Sequence, residues 1–264
     1  MVALEFLDAS GKVVRSYSNE DKKEAETPPE WPDQTPPDEK IPTDVGVNRF
    51  AWNLLLQGPT PLPGEPGAEF RDRGPMAPPG MYSVRLRADG KSYTVPLELR
   101  LDPRVKVSGE DVQKQVELGR KIVAQVSEIH EAISAIRELR AQTRGLDKRF
   151  GDDARYASLV TATKDFDKKS YDLESQLLQV NSKSSESNLN YPVLIDERLH
   201  SLLFSVESAD ALPTRQQYEV YEDLEKETQP LLARYHELIS KDLAALNEMV
   251  NKQNIPALYM PAGN

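Results

Sequence analysis

The chain has 264 residues, 38% of them apolar, and a formal net charge of −10. That acidic balance argues against a nucleic-acid partner, which needs a basic face to displace counterions from phosphate. With no cysteine at all, disulfides, thiolate nucleophiles and cysteine zinc sites are excluded together.

The apolar fraction lies below the roughly 45–50% of typical globular chains and allows a core, but a thin one. No apolar run approaches the roughly 18 residues that cross a bilayer. The opening Met1-Val2-Ala3-Leu4-Glu5-Phe6 lacks the basic region and apolar core of a signal peptide and reads as a strand that begins at once. So abrupt a start is expected of a piece of a longer exported protein.

Residues 3–7 and 13–17 flank Asp8-Ala9-Ser10-Gly11-Lys12 and predict a β-hairpin. Phe50, Trp52 and Leu54 alternate with polar neighbours and predict a middle strand, with Trp52 as its core anchor. Residues 81–87 and 92–99 surround Asp89-Gly90, the strongest short hairpin signal. Tyr82, Val84 and Leu86 alternate there with Ser83, Arg85 and Arg87, one face buried and one wet. Together these strands predict an Ig-like β-sandwich.

Two proline-rich stretches, 18–42 and 57–80, interrupt it. Proline removes a ladder donor, so both are expected as surface crossovers, with a polyproline-type ligand or a packing arm for a neighbouring domain as the alternatives. Gly64-Glu65-Pro66-Gly67 reads as a turn rather than a phosphate cradle.

Ser108 and Asp111 resemble a capping box at the start of a long helix. Its stripe runs through Val112, Val116, Gly119, Ile122, Val126, Ile129, Ile133, Ile136, Leu139, Thr143 and Leu146 in steps of three and four. Gly151 separates it from a second helix carrying Leu159, Val160, Phe166, Leu173 and Leu177. Asn190-Tyr191-Pro192 opens a shorter one with Ile195, Leu199 and Leu202. Thr214 caps a last long helix, which Pro230 is expected to kink or to break near Thr228. Residues 255–264 are expected to lie extended across a surface.

His130, His200 and His236 fall in separate helical stretches, with none of the spacing of a histidine ligand pair. Glu222, Asp223, Glu225 and Glu227 read as a solvated helix face. Arg137, Arg140, Arg144, Lys148 and Arg149 form a basic patch that complements the helix dipole, or alternatively meets an anionic ligand. No nucleophile elbow, Walker loop or dinucleotide fingerprint is present. The expectation is therefore no catalytic residue, no cofactor and no metal. Trp31, Tyr93 and Phe70 are candidates for a carbohydrate-binding platform.

Several stretches, in this order and spacing, resemble a known family. They are Gly46-Val47-Asn48-Arg49-Phe50-Ala51-Trp52-Asn53-Leu54, Pro78-Pro79-Gly80-Met81-Tyr82-Ser83-Val84-Arg85-Leu86 and Leu101-Asp102-Pro103-Arg104. Asn188-Leu189-Asn190-Tyr191-Pro192 and Ser208-Ala209-Asp210-Ala211-Leu212-Pro213-Thr214 extend the likeness. It is to the C-terminal region of large bacterial BNR/Asp-box proteins, glycosyl-hydrolase-like or sortilin-like. The opening Leu7-Asp8-Ala9-Ser10-Gly11-Lys12-Val13-Val14 is similar to the Ig-like domain of flagellar hook-capping proteins. In that family a β-propeller precedes this region and would hold any catalytic site. This chain has no Asp-box repeat, so the resemblance transfers no catalytic residue.

The expected architecture is α+β: an Ig-like β-sandwich over 1–105, an antiparallel bundle of three long helices over 106–254, and an extended tail over 255–264. The expected role is a non-catalytic accessory region that packs on a β-propeller in an exported bacterial protein, possible oligomers included. It has no membrane span. The alternatives are a carbohydrate- or peptide-binding module and a glycoside hydrolase with its site between sandwich and bundle.

Overall fold

The computed structural model describes residues 1–20, 41–66, 73–184 and 186–260. The fold is α+β. Strands β1 (Val2–Leu7), β2 (Val13–Ser18), β3 (Gly80–Ala88) and β4 (Lys91–Leu99) form one antiparallel sheet in the order β2-β1-β3-β4. Helices α1 (Gly109–Phe150), α2 (Ala157–Leu177), α3 (Ile195–Val206) and α4 (Arg215–Glu237) follow, and α4 runs through a π-helical turn at Leu238–Leu243 into α5 (Ala244–Lys252). Among the described residues, no helix is long and apolar enough to cross a membrane.

Local chemistry explains both hairpins. Asp89 and Gly90 both take positive φ, which a tight two-residue turn between twisted strands requires. In the first hairpin, Asp8 Oδ1 accepts from the Ser10 and Lys12 amides, and Gly11 supplies a left-handed turn residue.

One face of the sheet is covered. Phe6, Tyr17 and Tyr82 pack there with Ile41, Leu56, Val112 and Val116. Trp52 stacks on Phe6 with ring centroids 4.1 Å apart and meets Tyr82 edge-on at 6.0 Å. Trp52 thus joins the core as expected, but residues 47–54 do not form a strand. Side-chain bonds take the place of a ladder. Asn48 is tied to the Asp44 backbone, Asn53 Oδ1 accepts from the Leu55 amide, and Trp52 Nε1 donates to the Leu55 carbonyl. Leu54 then takes a φ of +62° and turns outward, and the pairing that remains is a single bridge between Leu55 and Met76. The described residues therefore form one small sheet capped by irregular chain, rather than the two facing sheets of the expected sandwich.

Among the described residues, nothing covers the far end of that same face. Register puts Leu86 opposite Tyr93 and Val84 opposite Val95, so all four share the side that carries Phe6 and Tyr82. Tyr93 and Val95 are nonetheless 58% exposed. β4 is also an edge strand. Counting from the Ala88–Lys91 pair that closes the turn, Pro96 falls where the backbone nitrogen faces away from β3.

The helices follow their caps and stripes. Ser108 Oγ accepts from the Asp111 amide, and Thr214 with Gln217 forms a full capping box. Val112, Val116, Ile122, Val126, Ile129, Ile133, Ile136 and Leu139 are all buried. Arg137 and Arg140 pair with Glu174, and Arg140 and Arg144 with Asp167. Positions rising along α1 meet positions falling along α2, so the two run antiparallel. Pro230 does not end α4, which continues unbroken to Glu237; the departure from α geometry comes later, at the π turn. Ile255 and Leu258 bury their side chains, and Asn247 and Gln142 clamp the backbone of Leu258 and Tyr259, so residues 255–260, the described part of the tail, lie without regular structure against the helices.

The chain divides into two compact units, Met1–Gly58 with Arg73–Arg120 and Val206–Pro213, and Pro59–Asp72 with Lys121–Ser205 and Thr214–Asn264. The single boundary expected at 105/106 is displaced for a physical reason. Val112 and Val116, in the first turns of α1, complete the core of the sheet unit.

Two predictions follow from these contacts. Glu174 is 4% exposed and neutralised by two arginines, so Glu174→Gln leaves buried guanidinium charge short of its partner. The expected loss is about 3–5 kcal/mol in urea unfolding. In the sheet unit, burial raises the pKa of Glu207 against the amide of Met76 and the charge of Arg73. A carboxyl raised in this way stabilises fully below its unfolded value of 4.5 and loses that contribution as pH rises through the folded value. Glu207→Gln keeps the acceptor for the Met76 amide at 2.8 Å. Its melting temperature should match the wild type near about pH 4 and exceed it near about pH 7.

Candidate functional site

Three polar side chains meet inside the helical unit, surrounded by its apolar stripe. His130 projects from α1 between the buried Ile129 and Ile133. Asp196 and His200 lie one turn apart on α3, on one face of that helix. The residues are 2%, 1% and 8% exposed, respectively.

Their hydrogen bonds define the protons. His130 Nδ1 lies 2.6 Å from the Thr60 carbonyl, and its Nε2 lies 2.9 Å from Asp196 Oδ1. A carbonyl can only accept, so His130 Nδ1 carries a proton, while Nε2 faces the Asp196 carboxyl. His200 Nδ1 donates to the Asp196 carbonyl at 2.9 Å. Burial opposes a charge on Asp196, but the bonds from His130 and His200 outweigh it and hold the carboxyl well below the usual carboxylate range.

The proline-rich stretch supplies the third side. The Thr60 amide donates to Ser127 Oγ, Thr60 Oγ1 donates to Glu131, and Glu65 pairs with Arg137 at 2.7 Å. Partners advance along α1 as the loop advances, so residues 60–65 lie along the helix. Of the readings of this stretch, residues 60–65 match a packing arm on the helical unit. Gly64, with a φ of +85°, makes the expected turn.

The basic patch is largely neutralised. Arg137, Arg140 and Arg144 meet carboxylates, Arg140 also lies over the Tyr171 ring, and Arg149 lies over Phe150. Burial opposes the Arg137 charge, yet Glu174 and Glu65 raise its pKa above the ordinary value. The acidic face of α4 is solvated, with Glu227 bonded to Arg198 and Asp223 to Lys226. His236 is exposed and lines an open groove with Glu128, Glu131, Leu232, Ile239 and Met260. Of the platform candidates, Tyr93 is exposed, whereas Trp31 and Phe70 lie outside the described residues.

The meeting of His130 with His200 was not expected from the sequence. The two are 70 positions apart, and no histidine pair has ligand spacing. One trace was present: Asp196-x-x-x-His200 sets a carboxylate and an imidazole one turn apart. Such pairs are common on helices, and the third member comes from another helix.

Asp196→Asn removes the carboxylate that faces His130. Breaking a buried pair in this way is expected to cost about 3–5 kcal/mol, read from the midpoint of denaturant unfolding.

Comparison of the chain with family models, with curated proteins and with solved structures finds no match.

Proposed function

We propose that the chain is a non-catalytic accessory region that assembles with a β-propeller domain of the Asp-box type in an exported bacterial protein. In this reading the sheet unit is the counterpart of an Ig-like domain, and the helical unit is an antiparallel bundle built on its three long helices. The observation that carries the reading is the end of the core face of the sheet that no described residue covers. Leu86, Tyr93 and Val95 continue the apolar surface that carries Phe6 and Tyr82, and they are exposed. An apolar surface continuous with a core is what a protein partner covers. The choice of a propeller rests on the resemblance of the ordered stretches around Trp52, Gly80 and Tyr191 to the region that follows such propellers.

The chemistry of the helical unit fits the same role. Its His130–Asp196–His200 cluster is sealed among apolar side chains, an arrangement suited to holding helices rather than to turning over a substrate.

The test mixes the purified chain with an Asp-box propeller from the same genome and follows the pair by light scattering and crosslinking. A 1:1 complex is expected, weakened at least tenfold by the surface pair Tyr93→Asp and Val95→Asp. A chain that stays monomeric beside the propeller overturns the proposal. Binding on a glycan array that is lost in Tyr93→Ala would transfer the role to carbohydrate recognition. Hydrolysis of chromogenic glycosides would overturn the non-catalytic assignment.

A further inference from the structure

We infer that His130, Asp196 and His200 form a site for a divalent transition-metal ion of the zinc class, which locks α1 to α3. The inference is independent of the partner reading, since it concerns the interior of the helical unit alone. One nitrogen from each histidine and one carboxylate oxygen lie within 4.8 Å of one another, and all three residues are buried.

Three features favour a metal ion. The first is the outer ring of hydrogen bonds. Nδ1 of His130 is held by the Thr60 carbonyl and Nδ1 of His200 by the Asp196 carbonyl. A histidine that ligates a metal through one nitrogen characteristically donates its other N–H to a backbone carbonyl or carboxylate, which sets tautomer and ring direction. Here Nδ1 of both rings faces a backbone carbonyl, so Nε2 is the nitrogen that would ligate.

The second is charge. The carboxylate of Asp196 sits in apolar surroundings and requires a cation beside it. A divalent ion bonded to the carboxylate supplies one, and with two neutral imidazoles as the other ligands the cluster would carry one net positive charge.

The third is the spacing of the donors. His130 Nε2 and Asp196 Oδ1 are 2.9 Å apart. An ion bonded to both at about 2.0–2.1 Å would see them about 90° apart, and a tetrahedral arrangement needs them to open by about half an ångström. Two imidazoles and one carboxylate favour zinc, cobalt or nickel over calcium and magnesium, which prefer all-oxygen shells.

The experiment uses the full chain stripped with a chelator and then dialysed. Zinc is titrated in competition with a chromophoric chelator, cobalt is titrated while its visible absorption is followed, and melting temperature is recorded with and without one equivalent of zinc. The expected results are one ion per chain, cobalt bands of a nitrogen–oxygen site and a rise in melting temperature of several degrees. His200→Gln should weaken zinc at least tenfold, as should Asp196→Asn if it folds. His236→Gln, at an exposed histidine, should bind as the wild type does. No cobalt bands and no thermal shift in the wild type overturn the inference. So does binding that survives in His200→Gln and disappears in His236→Gln.

Discussion

The apolar stripe of α1 is the constraint on which the rest of the structure depends. Its first members, Val112 and Val116, belong to the core of the sheet unit, while Ile122 through Leu139 are buried in the helical unit. One periodic pattern therefore serves two cores without a break in the helix. Fixing a backbone residue costs on the order of 1–2 kcal/mol, so each turn of so long a helix must bury side chains to persist. The stripe meets that need in both units. It also explains why His130 and Arg140 are paired. His130 and Arg140 stand beside fully buried isoleucine and leucine, where a polar group without a partner would be costly.

Charge is handled in two ways along the same helix. Near its C-terminal end, arginines face carboxylates of α2 in a partly hydrated ladder. Nearer its middle, a single imidazole ring faces a carboxylate with almost no solvent. Buried pairs contribute little net stability against an apolar replacement, but they penalise every arrangement that separates them. Together, the ladder sets the register of α1 against α2, and the buried pair sets α1 against α3. Thr60 extends that specification to a proline-rich segment with no regular structure, whose amide, hydroxyl and carbonyl are each matched to a group on α1.

What was legible in the sequence was local. The caps at Ser108 and Thr214, the stripe of α1 and the Asp89-Gly90 turn each follow from a few neighbouring residues, and each appears in the fold. Residues 47–54 carried the alternation of a strand, and Trp52 and Phe50 do face the core. Alternation does not report side-chain bonds to the backbone, however, and Asn48, Asn53 and Trp52 spend theirs holding turns. The His130–Asp196–His200 cluster was illegible for a different reason. It depends on which faces of α1 and α3 meet, a tertiary fact that no spacing within either helix encodes. The unit boundary was misplaced because periodicity marks where a helix starts, not which core its first turns join.

Pro96 bears on the colloidal behaviour of the chain. The segment Tyr93-Thr94-Val95-Pro96-Leu97 has the apolar, β-branched and aromatic make-up of sequences that stack into fibrils, and it lies on an open edge. A proline whose nitrogen faces outward removes a donor from the middle of that edge, so an incoming strand cannot complete its ladder. The residue acts as a gatekeeper. It closes the edge to growth by strand addition while leaving the neighbouring face of the sheet open to a partner that covers side chains.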